Sequence, residues 1–277
     1  MTPFALSEQL VPGMSSMHYH GIQAFSSSLG REIVRSSPAH AMARKDRPQT
    51  PAMVLGSAVH AGVLEPHAGA VAIAPDVDRR TTAGKEAYSA FVREASGKII
   101  LTHDQGETYR GIVDAVAESR AATNLLHVCQ SRELSGFTVD PTNDVLCKAR
   151  FDAISVQDGV ILDLKTTSGL ATRSEFERTI GSLGYGFQAA LYTWVAARLG
   201  VPSPAFMFLV VEVEYPHGVG LFAMQQEVID LYMPRVQEAI QLYAECMKAN
   251  AWRSYPDEVQ SIGIPAWVRK GLEEVAA

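Results

Sequence analysis

A β-hairpin in the middle of the chain constrains the fold more than any other part of the sequence. Its two arms, 145–155 and 159–165, are rich in apolar residues, and the Gln-Asp-Gly sequence between them is typical of a tight turn. The arms also carry Asp152, Asp163 and Lys165. Side chains alternate along a strand, so Asp163 and Lys165 share a face, and pairing about the turn brings Asp152 opposite. The hairpin therefore predicts two carboxylates and an ammonium group close together in a buried position.

Two carboxylates that lie this close repel each other unless a proton or a cation lies between them. A hard divalent cation with oxygen ligands removes that repulsion, and Mg²⁺ is the usual intracellular choice. Lys165 could then orient the attacking water, help to remove its proton, or stabilise charge on a phosphate. A D-x-K sequence in a strand is equally compatible with a structural ion pair. The pattern alone leaves a metal site and an ion pair as alternatives.

Helical and strand periodicities alternate along the chain, which predicts an α/β fold with a central mixed β-sheet flanked by helices. Helices are predicted at 26–37, 55–65, 82–96, 105–119, 121–129, 182–199 and 231–249, and further strands at 133–140, 205–213 and 220–227. The strand at 205–213 is apolar throughout, which favours a central place in the sheet. One domain is predicted, with an N-terminal extension at 1–50, a core at 51–227 and a C-terminal helical segment at 228–277.

The composition excludes several classes of protein. The net charge is −6 at pH 7, so no overall basic field attracts nucleic acid, although a local basic channel remains compatible with it. The cysteines, Cys129, Cys147 and Cys246, form no C-x-x-C pair, which argues against a zinc site or an iron–sulfur cluster and suits a reducing cytosol. The longest apolar run is too short to span a bilayer, and the first residues lack the pattern of a signal peptide. We therefore expect a cytoplasmic protein without membrane contact.

Four short motifs together resemble the PD-(D/E)xK nuclease superfamily, the restriction-endonuclease-like fold. They are G-S-A-V-H-A-G-V-L-E-P at 56–66, R-F-D at 150–152, I-L-D-L-K-T-T at 161–167 and Q-A-A-L-Y at 188–192. Their order and spacing resemble the RecE-type branch, the phage and prophage 5′–3′ double-strand DNA exonucleases related to exonuclease VIII. The stretch that begins Y-H-G-I-Q at residue 19 is similar to the segment preceding the histidine helix in that branch.

The resemblance implies a role for each matching residue. Asp152 and Asp163 would be the metal-binding carboxylates, and Lys165 the catalytic lysine. His60 and the main-chain carbonyl of Leu164 would complete the metal ligands. Mg²⁺ is the implied cofactor, with Mn²⁺ as an alternative.

Further residues are assigned around this centre. Gln188 and Tyr192 match the Q-x-x-x-Y helix beside the active site of the family, and they lie four residues apart on one helix face. Glu65 matches the acidic residue that ends the histidine helix, and would support the site. Glu133 begins the strand before the hairpin, where it could face the site or be a solvated strand end.

Four residues are candidate DNA contacts: Arg150, Thr166, Arg31 and Arg35. Arg150 could touch a phosphate or pair with Asp152. Thr166 could offer its hydroxyl to DNA. Arg31 and Arg35 belong to a local positive excess that also includes Arg44, Lys45 and Arg47, and with Arg173 and Arg178 these residues could line a duplex channel.

The resemblance implies a Mg²⁺-dependent 5′–3′ exodeoxyribonuclease that acts on linear double-stranded DNA ends in phage-type recombination by single-strand annealing. It also implies a homo-oligomeric ring, a trimer or tetramer, a single-strand annealing protein as partner, and a phage or prophage gene in a bacterial cell. Two alternatives remain: a RecB-like repair nuclease of the same superfamily, and a non-catalytic DNA-end-binding module. The intact set of acidic, lysine and histidine positions speaks against the non-catalytic module.

Overall fold

A six-stranded mixed β-sheet forms the centre of the computed structural model, which describes residues 8–43 and 48–275. The strands are β1 (Gln9–Val11), β2 (Val71–Ile73), β3 (Ile99–Leu101), β4 (Ser131–Asp140), β5 (Val145–Ser155), β6 (Val160–Thr167), β7 (Ala205–Glu212) and β8 (Val219–Ala223). The helices are α1 (Ser16–Gly21), α2 (Ser27–Arg35), α3 (Pro38–Ala43), α4 (Pro51–Leu64), α5 (Thr82–Glu94), α6 (His103–Glu118), α7 (Arg120–Val128), α8 (Arg173–Leu183), α9 (Tyr185–Arg198), α10 (Gln226–Ala249) and α11 (Ala266–Val275). No helix among the described residues is both long and apolar enough to cross a membrane.

The strand order in the central sheet is β1-β4-β5-β6-β7-β8, while β2 and β3 form a separate parallel pair. Within the central sheet β6 and β7 run parallel, and the other neighbours run antiparallel. A parallel pair needs a crossover connection, which α8 and α9 provide. The predicted α/β fold, with a mixed sheet flanked by helices, is confirmed.

Helices cover both faces of the sheet, because its side chains alternate between two apolar layers. On β7, Phe206 and Phe208 pack into a core with α2, α9 and α10, which we call the α9 layer. Leu209 and Val211 point the other way, into a core with α4, α6 and α7, which we call the α4 layer. β7 is therefore buried on both faces between β6 and β8, as the apolar run predicted.

The helices differ from the prediction mainly at their ends. α4 begins at Pro51, four residues earlier than predicted, because the Thr50 side chain accepts a hydrogen bond from the Met53 amide and proline is well tolerated in the first helical turn. The predicted helix at 182–199 starts too early. Gly184 adopts φ +67°, which ends α8 and starts α9 in a new direction. The sequence analysis missed α8 itself.

Candidate active site

Asp163 and Lys165 lie on the α9 side of β6 and form an ion pair. Gln188 of α9 donates a hydrogen bond from its amide nitrogen to Asp163 Oδ1 at 2.5 Å. Leu162 and Leu164, which alternate with these residues, are buried in the α4 layer, as predicted. The Asp163 side chain is only 2% exposed, so both of its oxygens need these polar partners.

Asp152 reaches the same place because β5 and β6 separate there. The two strands pair only from Ala153 opposite Leu162 to the turn. Beyond that point the backbone N–H of Leu164 has no backbone partner on β5, and it donates to the side chain of Asp152 instead, at 2.8 Å from Oδ2. His60 on α4 approaches the same oxygen, with its Nδ1 atom at 3.5 Å. The predicted grouping of His60, Asp152, Asp163 and Lys165 at the end of the hairpin is therefore what the structure shows.

Glu133 and Asp152 interrupt the alternation of side chains on β4 and β5 at the same point. The antiparallel register is identical on both sides of this pair. Phe151 nevertheless packs in the α9 layer and Ala153 in the α4 layer, although residues two apart on a regular strand share a face. Glu133 has φ +48°, a left-handed conformation that is uncommon outside glycine. Each strand thus contains one residue that is turned out of the regular pattern.

Arg150 occupies a different position from the one predicted. Its guanidinium pairs with Glu133 Oε2, donates to the Met14 carbonyl at 2.8 Å and lies 3.3 Å from the Ser135 hydroxyl. Of the two alternatives for Arg150, pairing with Asp152 is not what the structure shows, since Arg150 pairs with Glu133. On a regular strand Arg150 and Asp152 would share a face, but the alternation of side chains breaks at Asp152. A contact between Arg150 and DNA phosphate stays a prediction.

Three side chains have the composition and spacing of a metal site. One ligand atom each from His60, Glu133 and Asp152 lie within 4.8 Å of one another. Donor atoms around an octahedral divalent cation are about 3–4 Å apart, so small side-chain movements would bring all three into reach. Asp163 does not join this group within the described residues, since its carboxylate faces Lys165 and Gln188. The donors fit a divalent cation, and Glu133 is a candidate that the sequence analysis left undecided.

The charges in the site shift the pKa values of its groups. Burial raises the pKa of Asp152, and the neighbouring Asp163 carboxylate adds to this, while His60, Lys165 and the Leu164 amide oppose it. Burial would lower the pKa of Lys165, but the carboxylates of Asp163 and Asp152 outweigh it and raise this pKa above its usual value. The site without a cation therefore keeps Lys165 charged as the neutralising partner of the carboxylates.

Tyr192 lies beneath the site. Its ring contacts Phe151 and Phe206 in edge-on geometry, with centroids 5.5 and 6.1 Å away. Burial raises the pKa of its hydroxyl, and the two aspartates raise it further. The ring of Tyr185, also on α9, lies 5.0 Å from Lys165 Nζ and thus forms another wall of the site.

Glu65 lies outside this cluster. It follows the last residue of α4, is exposed, and has no described hydrogen bond or ion pair with the other site residues. It is five residues from His60, about 140° further round the helix, which directs it away from that face. A supporting role for Glu65 in catalysis stays a prediction.

Two of the remaining candidate DNA contacts, Arg31 and Arg35, already have partners in the protein. Arg31 donates to the Leu183 carbonyl at 2.9 Å, and Arg35 pairs with Glu32. Thr166 belongs to β6, where its hydroxyl lies near Gly56 of α4. Their role in DNA binding stays a prediction. The other members of the positive excess, Arg44, Lys45 and Arg47, lie outside the described residues.

Residues 26–263 match a family model, described as a PDDEXK-like domain of unknown function, DUF3799. The chain belongs to this family. That Asp152, Asp163 and Lys165 supply the acidic positions and the lysine of the motif in its name stays a prediction. The predicted PD-(D/E)xK superfamily is confirmed, and the protein is a nuclease. No curated protein matches the chain in sequence.

Two solved structures resemble the chain to different degrees. A proposed exonuclease from Eubacterium rectale superimposes with a TM-score of 0.57 at 10% identity, over 94% of this chain and 98% of its own. A phage-related exonuclease from Haemophilus somnus 129PT gives a TM-score of 0.34 at 14% identity, over 85% of this chain and all of its own. The first of these two has the same fold as the DUF3799 chain described here.

Proposed function

We propose that the protein is a divalent-metal-dependent 5′–3′ exodeoxyribonuclease of the RecE type, which degrades linear double-stranded DNA from its ends in phage-type recombination. The observation that carries the proposal is the meeting of Asp152, Asp163 and Lys165 where β5 and β6 separate. In a chain of the PDDEXK-like family, this arrangement supports phosphodiester hydrolysis. The 5′–3′ direction and the preference for DNA ends come from the sequence resemblance.

Each residue has a task that its position suits. A bound divalent cation supplies positive charge that polarises the phosphate and makes a water more acidic. His60 and the aspartates would hold that cation. Lys165, charged and partly exposed, can orient the attacking water or stabilise the negative charge that grows on the phosphate. Gln188 fixes the Asp163 carboxylate, so that the carboxylate does not reorganise during the reaction.

The proposal extends to assembly and partners. RecE-type relatives form rings, so we propose a homo-oligomeric ring, a trimer or tetramer, that encircles the duplex. A single-strand annealing protein would then bind the single strand that remains after degradation. Mass measurement by light scattering checks the first part, and a strictly monomeric mass would exclude the ring.

The decisive experiment uses a linear duplex labelled at one 5′ end and a closed circular duplex of the same length. The purified protein is incubated with each in Mg²⁺, in Mn²⁺ or in EDTA. We expect labelled mononucleotides from the linear duplex only, and no product in EDTA. Cleavage of the circle would favour a repair endonuclease. Binding to linear DNA without any cleavage would favour a DNA-end-binding module.

Two variants anchor this experiment. Asp163→Ala removes a carboxylate of the site, and we expect at least a hundredfold loss of the rate. Asp114→Ala removes an exposed carboxylate of α6 and should leave the rate unchanged. Circular dichroism confirms that both variants are folded. Full activity of folded Asp163→Ala would refute the assignment of the site.

A further inference from the structure

We propose that Glu133 is a direct ligand of the divalent cation, and that His60, Glu133 and Asp152 form a cation site that prefers Mn²⁺ to Mg²⁺. This inference rests on the proposed function and adds a ligand that the family motifs do not contain. It assigns to β4 a part in the chemistry, whereas the sequence resemblance places the metal ligands on α4, β5 and β6 alone.

Glu133 and Asp152 are the two residues that the antiparallel register of β4 and β5 skips, between the pairs Arg132–Ala153 and Leu134–Phe151. With its φ of +48° Glu133 is turned out of the regular pattern, and one of its oxygens then lies within 4.8 Å of ligand atoms on both His60 and Asp152. Three donors from three separate elements converge on one point. A strand-end carboxylate that merely faced solvent would not need to converge with an imidazole and a second carboxylate.

The charges around Glu133 leave one oxygen for a ligand. Arg150 pairs with Oε2. No described contact of Glu133 engages Oε1. Arg150 itself is fixed by hydrogen bonds to the Met14 carbonyl and the Ser135 hydroxyl. It therefore orients the Glu133 carboxylate. A ligand carboxylate that is held by an arginine through its second oxygen is oriented before the cation arrives.

The donor set decides which cation it prefers. Mg²⁺ favours oxygen ligands in near-ideal octahedral geometry and keeps several waters, so an imidazole is a poor ligand for it. Imidazole suits transition metals, and carboxylates suit Mn²⁺ as well as Mg²⁺. One imidazole with two carboxylates therefore matches Mn²⁺ better than Mg²⁺. Asp163, which has Lys165 and Gln188 as partners, would be a further carboxylate ligand beside this set of three.

Metal binding without DNA tests the proposal. Mn²⁺ and Mg²⁺ binding to the intact protein are measured by titration calorimetry, and Mn²⁺ also by the electron paramagnetic resonance of the free ion. We expect tighter binding of Mn²⁺ than of Mg²⁺ to the wild type. We expect Glu133→Gln to weaken Mn²⁺ binding at least about tenfold, since even residues that only orient metal ligands cost that much when removed. An unchanged Mn²⁺ affinity in Glu133→Gln would overturn the proposal.

Two further variants separate ligation from structure. Glu8→Gln is the matched control, because Glu8 also lies against β4, also has a positive φ of 56° and also pairs with an arginine, Arg198. It should leave Mn²⁺ affinity unchanged. Arg150→Gln removes the group that orients Glu133 while keeping the carboxylate, so Mn²⁺ affinity should fall by about tenfold, and by less than in Glu133→Gln. If Glu133 served only to hold Arg150, Glu133→Gln and Arg150→Gln would lower the melting temperature in EDTA equally. Neither variant would then change the Mn²⁺ affinity.

The failure of this inference differs from the failure of the proposed function. A Glu133→Gln protein that binds Mn²⁺ normally and degrades linear DNA normally refutes the ligand role alone. A wild-type protein that binds neither cation and leaves DNA intact refutes the proposed function, and the ligand role falls with it.

Discussion

Replacing Lys165 with methionine should destabilise the protein when no divalent cation is present. The change removes the ammonium group and leaves the Asp163 carboxylate, whose side chain is 2% exposed, with Gln188 as its remaining described partner. Removing one member of a buried ion pair costs about 3–5 kcal/mol, because the other charge stays in a poorly solvated place. The Lys165 side chain is 17% exposed, so water can enter the space that it leaves. We therefore expect a loss near 3 kcal/mol.

Urea unfolding at pH 7 in EDTA measures this loss, followed by circular dichroism and analysed at constant slope. The double variant Asp163→Asn, Lys165→Met removes both charges and keeps an acceptor for Gln188, so most of the stability should return, to within about 1 kcal/mol of wild type. Lys85→Met, at an exposed position of α5, should change stability by less than about 0.5 kcal/mol. A Lys165→Met protein as stable as wild type, or one that the second substitution does not improve, would refute the reasoning.

Two further predictions concern the interior. Cys129, Cys147 and Cys246 are buried free thiols, so all three should react slowly with a thiol reagent at pH 7 and rapidly in urea. Burial raises the pKa of Cys129 to about 11, so its reaction should accelerate as the pH rises towards 11, because only the thiolate reacts. Fast labelling of the folded protein at pH 7 would contradict this. Gly186→Ala places a Cβ 2.2 Å from the Tyr232 ring, between α9 and α10, and should cost about 1–3 kcal/mol in urea unfolding. An unchanged unfolding midpoint would show that the ring moves freely.

Sequence periodicity was enough to predict the sheet and most of the helices, because these elements bury alternating or helical apolar faces. The hairpin from β5 to β6 was predicted because two apolar runs flank a typical turn sequence. Its strands lie close to their predicted places. β1, β2 and β3 were missed because strands of three residues carry too little periodicity. α8 was missed because its face is largely exposed and its sequence is polar.

The sequence predicted the motif residues of the candidate site, but not the positions of Glu133 and Arg150 beside them. Asp152, Asp163, Lys165, His60 and Gln188 lie in motifs with fixed spacing, and the structure brings them together. Two features depend on backbone geometry that no local pattern reveals. These are the left-handed conformation that turns Glu133 towards Asp152 and the interruption that separates Arg150 from Asp152.

The paired interruption of β4 and β5 has a consequence for insertions and deletions in this family. Deleting Glu133 alone, or Asp152 alone, would shift one strand by a residue against the other and mispair every side chain beyond that point. Deleting both would join Arg132 to Leu134 and Phe151 to Ala153 with all faces in regular alternation. Length variants of β4 and β5 should therefore fold only when both strands change by the same number of residues. A variant that lacks both Glu133 and Asp152 would keep the sheet but lose two of the proposed metal ligands.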